Sequence, residues 1–168
     1  MHWSLKSLRA PSVALAVVLI SIAAAPAADA SIVAGQSVAG VKLGATTAQV
    51  KKTLGPPETP LGTEFFYPSP LHLRISFKHG QVQQILSYSK RQRANGVAVG
   101  SYRAALQHSY PRAQCIEGPL APTYLYCVVG AHVQGRPSYT GFLFEHPDGP
   151  VVEVETGFGS VVQALKHP

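Results

Sequence analysis

The chain of 168 residues has only two cysteines, Cys115 and Cys127, and none before them, so no cysteine stands ready to carry a lipid near a processed N-terminus. Their spacing is far from Cys-x-x-Cys, the arrangement of reactive dithiols. Six histidines follow residue 30, namely His72, His79, His108, His132, His146 and His167. None has a second histidine at i+2 or i+4 with a carboxylate or cysteine beside it, the pattern a metal site writes into a sequence. No Gly-x-Ser-x-Gly is present to mark a nucleophile elbow. Acidic residues are scarce, 8 Asp plus Glu against 14 Lys plus Arg. The basic residues are dispersed rather than gathered into a stripe with interleaved aromatics, which speaks against nucleic-acid binding. No uncharged apolar run reaches the roughly 20 residues of a membrane-spanning helix.

What is present begins with a leader. Lys6 and Arg9 precede an apolar run from Val13 to Ala25, Pro26 breaks it, and Ala28-Asp29-Ala30 offers small residues where a signal peptidase cuts. Cleavage is expected after Ala30, with Ala27 as the second position; an uncleaved anchor is the alternative. The chain is therefore expected to be exported, to the cell envelope or beyond it, with no stable membrane span once residues 1–30 are gone. In an exported chain the two cysteines are expected to pair. Such a loop stabilises a fold by about 3 kcal/mol on the chain-entropy model; a reactive thiol pair is the competing reading. Charge is uneven after the leader: residues 31–110 hold nine basic and two acidic groups, residues 111–168 three basic and five acidic.

The strongest internal signal is a repeated opening. Gly40, Val41, Leu43 and Gly44 match Gly96, Val97, Val99 and Gly100 at a constant offset. In the first copy Thr46 is placed to cap a helix, with Gln49 completing a capping box, Val50 and Leu54 on one face, and Gly55-Pro56-Pro57 as the stop. In the second copy Ser101 takes the cap, with Leu106 and Tyr110 before Pro111. Helices this short need tertiary packing. Strands come next. Leu71 to Lys78 alternates apolar and polar residues, His79-Gly80 turns, and Gln81 to Lys90 continues, with Thr63 to Tyr67 before them. Thr123 to Val129, Tyr139 to Glu145 and Val151 to Thr156 are expected to take the same places in the second copy, with Asp148-Gly149 as a hairpin signal and a longer connection around Gly130 to Pro137. The expectation is an α+β fold of two tandem repeats, residues 31–94 and 95–168, each a short helix packed on a small antiparallel sheet.

Gly-Val-x-Leu-Gly-x-Thr, a helix ending in Leu-Gly-Pro-Pro, and strands carrying Phe77, Gly80 and Val82 in a Phe-x-x-Gly-x-Val hairpin together resemble the small bacterial envelope domains of the SmpA/OmlA type. The tandem arrangement is similar to the secreted β-lactamase-inhibitory proteins, with Gly100, Leu106, Cys115, Cys127 and the strand Tyr139 to Phe144 matching one inhibitor half. The resemblance spans roughly residues 32–158. It implies a disulfide tying the second helix exit to the first following strand, and a role in binding protein.

Strand alternation supplies the candidate faces. With Leu71, Leu73, Ile75 and Phe77 inward, His72, Arg74, Ser76 and Lys78 line the opposite side. With Thr140, Phe142, Phe144, Val152 and Val154 inward, Tyr139, Leu143, Glu145, Glu153 and Glu155 lie outside. The candidate partner-binding face is thus His72, Arg74, Lys78, Tyr139, Leu143, Glu153 and Glu155, aromatic and apolar anchors among steering charges. The expected function is a non-catalytic protein-binding module, inhibitor-like, using no cofactor. An anionic envelope polymer is a further candidate partner, for the run Lys90-Arg91-Gln92-Arg93. The alternative is a small extracytoplasmic hydrolase whose site the sequence does not mark; Glu153 and Glu155 form a carboxylate pair suited in principle to acid-base work, with an exposed strand face as the simpler reading.

Overall fold

The structure is a computed structural model that describes residues 31–117 and 124–166. The leader with its cleavage positions, Thr123 and His167 lie outside the described residues. The first half contributes β1 (Ser31–Val33), β2 (Ser37–Val38), β3 (Val41–Lys42), α1 (Thr47–Leu54), β4 (Thr59–Leu61), β5 (Glu64–Tyr67), β6 (Leu73–Lys78), β7 (Gln81–Ser87) and β8 (Arg93–Ala94). The second contributes α2 (Arg103–Ser109), β9 (Gln114–Glu117), β10 (Leu125–Val133), β11 (Arg136–Phe144), β12 (Val151–Phe158) and α3 (Val161–Lys166).

The matched openings do share local geometry. Ala39-Gly40 (φ 50° and 78°) and Asn95-Gly96 (φ 46° and 89°) are two-residue turns with both residues left-handed, the hairpin turn that suits strand twist. Gly44 N–H then donates to Val82 O at 2.9 Å and Val82 N–H to Ala45 O at 2.8 Å. Gly100 N–H donates to Val151 O at 2.7 Å and Val151 N–H to Ser101 O at 2.8 Å. The shared wording therefore encodes a turn and a docking point on a strand.

It does not encode two helix-on-sheet units, and the expected α+β architecture of tandem repeats is overturned. Strands predominate, in two sheets. One is a continuous antiparallel sheet of eight strands, ordered β4-β5-β6-β7-β12-β11-β10-β9; the other has four short strands, ordered β3-β2-β1-β8. The β7–β12 ladder, running from Val154↔Ser87 to Gly157↔Gln84, joins strands from either side of residue 94. A free strand edge leaves a row of unpaired backbone groups, and pairing the two edges satisfies them.

The helices follow their caps. Thr46 and Gln49 form the expected capping box on α1, which buries Val50 and ends at Gly55 with φ 85°. Ser101 does not cap α2: Tyr102 occupies the N-cap without a side-chain bond. The Ser101 hydroxyl instead accepts from Ala98 N–H at 3.0 Å. α3 carries a second reciprocal box, Gln163 N–H donating to Ser160 Oγ at 3.2 Å and Ser160 N–H to Gln163 Oε1 at 2.9 Å. No helix among the described residues is long and apolar enough to cross a membrane.

The inner face of the large sheet packs on α1, α2 and the small sheet in one core. Leu73, Ile75, Phe77 and Ile85 join Phe142, Phe144 and Val154, beneath Val50, Leu106, Ile32, Val38 and Val41. Val151 takes the buried place expected of Val152, because the register shifts between Leu143 and Phe144. The expected long connection at Gly130 to Pro137 is instead strand: β10 and β11 pair as far as Val133↔Arg136 around the two-residue turn Gln134-Gly135. Cys115 and Cys127 are disulfide-bonded. They face each other across β9 and β10 and fasten the edge strand to the sheet.

Candidate functional site

Register places Phe66, Arg74, Leu86, Glu155, Gly141 and Val128 in one row across the outer face of the large sheet. The two ends of that row differ. Over β9 to β11, α3 lays Val161, Ala164 and Leu165 against Ile116, Tyr126, Val128, Tyr139 and Leu143. Over β5 to β7 no described helix lies on the face.

In the covered part, Glu155 is 7% exposed. Its carboxyl accepts from the Tyr126 hydroxyl at 3.2 Å, from Gln84 Nε2 at 2.6 Å, and from the Tyr139 hydroxyl. Both tyrosines reach it across glycine. A Cβ at Gly141 would sit 2.1 Å from the Tyr126 hydroxyl oxygen, and one at Gly157 would sit 3.0 Å from that of Tyr139. Burial, and then the neighbouring Glu155 charge, push both phenols upward. This group ties β7, β10, β11 and β12 together at one carboxyl.

In the open part, Arg74 grips Glu64 with two nitrogens: Nε donates to Oε2 at 3.0 Å, and Nη2 to Oε2 at 2.8 Å and Oε1 at 3.0 Å. The Ser76 hydroxyl donates to the same carboxylate at 3.0 Å. The Arg74 hydrogen bonds hold the Glu64 carboxyl below its ordinary value. Phe66 and Tyr88, each 40% exposed, flank Arg74, with half-buried Leu86 beside it. Burial, then Glu153, pushes the Tyr88 phenol up to about 12. Burial in turn raises the Glu153 carboxyl.

The expected site residues therefore separate. Arg74 lies on the open face with Tyr88, and Glu153, half-buried on β12, neighbours Tyr88 from the same side. Tyr139 and Glu155, expected outside, are buried, and Leu143 is half-buried in the cluster under α3. Alternation does put them on the outer side of the sheet; a helix that the alternation could not foresee covers that side. His72 is exposed at the entry to β6 with φ 48°, and Lys78 is exposed at its far end. The basic run after β7 is wound into a bonded turn: Gln92 is buried and donates to Leu71 O at 3.2 Å, while Arg93 donates to Gly96 O at 3.1 Å. Phe66, Leu86 and Tyr88 were not among the expected site residues. Their signal was the alternation Gln84-Leu86-Tyr88, which sets both apolar groups on the Gln84 side.

No family model matches the chain, and no curated protein matches it. Among solved structures it is similar to the crystal structure of an extracellular protein containing a SCP domain from Bacillus anthracis str. Ames, with a TM-score of 0.50 and 10% identity. The likeness covers 73% of this chain and 45% of that one, so the chain spans under half of that protein's length. At this identity the likeness concerns fold alone.

Proposed function

We propose that the protein is a non-catalytic binding module, exported and inhibitor-like, that takes a protein partner on the open half of its large sheet. The observation that carries this is the pair of exposed aromatics on either side of Arg74: Phe66 on β5, and Tyr88 just past β7, whose N–H donates to His72 O at 3.0 Å. Aromatic and arginine side chains are the types that anchor protein interfaces, and here Glu64 already orients the guanidinium. The paired backbone positions these groups before a partner arrives, which lowers the ordering cost of docking. The leader-like N-terminus and the disulfide favour work outside the cytoplasm.

The test is capture of a protein from an envelope extract by the immobilised chain, repeated with Phe66→Ala, Arg74→Ala and Tyr88→Ala combined. The captured partner is expected to be lost while the melting temperature stays near that of the parent. Capture that survives the triple change rejects this face.

A further inference from the structure

Two recesses adjoin at the tip of the β10–β11 hairpin. The larger, about 810 Å³, has Lys42 and Lys52 on its walls, with Gln36, Gln49 and Gln134. The smaller, about 340 Å³, is lined by Lys78, His79, Gln81, Gln83 and Arg136. Gly44 and Ala45 line the first and Val82 the second, and these are the residues that exchange hydrogen bonds at 2.9 and 2.8 Å. The same hairpin supplies Gln134 to one recess and Arg136 to the other. Together they make a groove in which no Asp or Glu appears among the described lining residues.

The chemistry of the walls narrows the ligand. Lys42, Lys52, Lys78, His79 and Arg136 are all exposed, and no described salt bridge involves any of them. The fields of Lys42, Lys52, Lys78 and Arg136 therefore add rather than cancel, which concentrates anions in the groove. Arg136 is held in place by stacking on Phe158, its guanidinium carbon 3.7 Å from the ring centroid. That contact occupies one face of Phe158, and no Phe, Tyr or Trp on which a base could stack appears among the described lining residues. Gln36, Gln81 and Gln134 are exposed amides, able to donate to and accept from hydroxyl groups. Spread cations, interspersed amides and no stacking platform suit a chain that repeats carboxylates and hydroxyls.

We propose that this acid-free groove binds an acidic polysaccharide, its carboxylates on Lys42, Lys52, Lys78 and Arg136 and its hydroxyls on the glutamine amides. The site is separate from the open sheet face and does not rest on the reading given for it. The groove also differs from the Lys90 to Arg93 run, whose Gln92 is buried and whose Arg93 is bonded to backbone.

The experiment titrates the purified protein with polygalacturonate at low and high salt, with sodium polyphosphate and a single-stranded oligonucleotide at equal anion concentration. Lys42→Glu with Lys52→Glu is expected to weaken polygalacturonate binding about tenfold, a loss of about 1.4 kcal/mol. Lys78→Glu alone, which leaves the Arg136–Phe158 stack intact, is expected to weaken it in the same direction. Arg112→Glu with Lys166→Glu, exposed cations that line neither recess, is the control and is expected to shift it by no more than about twofold, as screened surface charges do. Added salt is expected to weaken binding by the parent. Melting curves confirm that each variant folds. Groove variants that bind like the parent, or a control pair that loses as much, overturn the site. Tighter binding of polyphosphate or of the oligonucleotide than of polygalacturonate overturns the polysaccharide assignment.

Discussion

Over β9 to β11 the outer side of the large sheet carries tyrosines that reach across glycines to a shared carboxyl, sealed by a six-residue helix. Over β5 to β7 the same side carries an exposed phenylalanine, an exposed tyrosine and an arginine paired with a glutamate, with no described helix on top. Both regions obey one alternation rule, and the rule assigns side chains to a face without saying what lies over it. The covered region is where substitution should unfold the protein. The open region is where it should leave the fold alone and alter recognition.

Glu155→Ala puts the greatest strain on that contrast. It strands the Tyr126 and Tyr139 hydroxyls and the Gln84 amide, and is expected to cost about 3 kcal/mol in urea unfolding. A loss below about 1 kcal/mol would mean that water replaces the carboxyl and that the region is not sealed. Gly141→Ala comes next, at about 2 kcal/mol, because its methyl must displace the Tyr126 ring. Gly157→Ala, with a 3.0 Å approach rather than 2.1 Å, is expected to cost less, and the reverse order would contradict the packing described. On the open side, Phe66→Ala is expected to change stability by no more than about 1 kcal/mol by the same measurement, since much of the ring is already in water.

The smallest effect is electrostatic. Arg74 lowers the folded value of Glu64 below 4.5, so the pair's contribution is complete above that ordinary value and is lost as pH falls through the folded one. Arg74→Gln is therefore expected to lie within about 1 kcal/mol of the parent at pH 7, as exposed ion pairs do, and to converge with it in acid. Urea unfolding at pH 7 and pH 3 checks this, and a gap that widens in acid refutes the sign.

Local chemistry was legible where neighbours in sequence are neighbours in space. The Thr46–Gln49 box, the His79-Gly80 turn, the buried alternation of Leu73, Ile75 and Phe77, and the inward Phe142 and Phe144 are all short-range patterns. The small sheet was not legible, because strands of two or three residues are too short to show a period. α3 was not read from the sequence: Ser160 and Gln163 form its reciprocal box, but the β-branched pair Val161-Val162 favours strand and masks the start. Gly130, Gly135 and Pro137 read as loop, yet they sit at the end of the longest ladder, where a left-handed Gln134-Gly135 turn closes the hairpin. For the candidate site, Arg74 and Glu153 followed from alternation. The burial of Tyr139 and Glu155 did not, because it depends on a helix arriving from beyond the last strand.

The ladder between β7 and β12 has one further effect, on the order in which the molecule can be built. Its middle strand finds its second neighbour only when β12, the last of the described strands, has been made. A chain synthesised from its N-terminus must until then carry β7, with its apolar Val82 and Ile85, as a bare margin. Two unfinished copies meeting at that margin would satisfy one another's backbone just as β12 does, so dilution or shielding of newborn chains should favour the monomer.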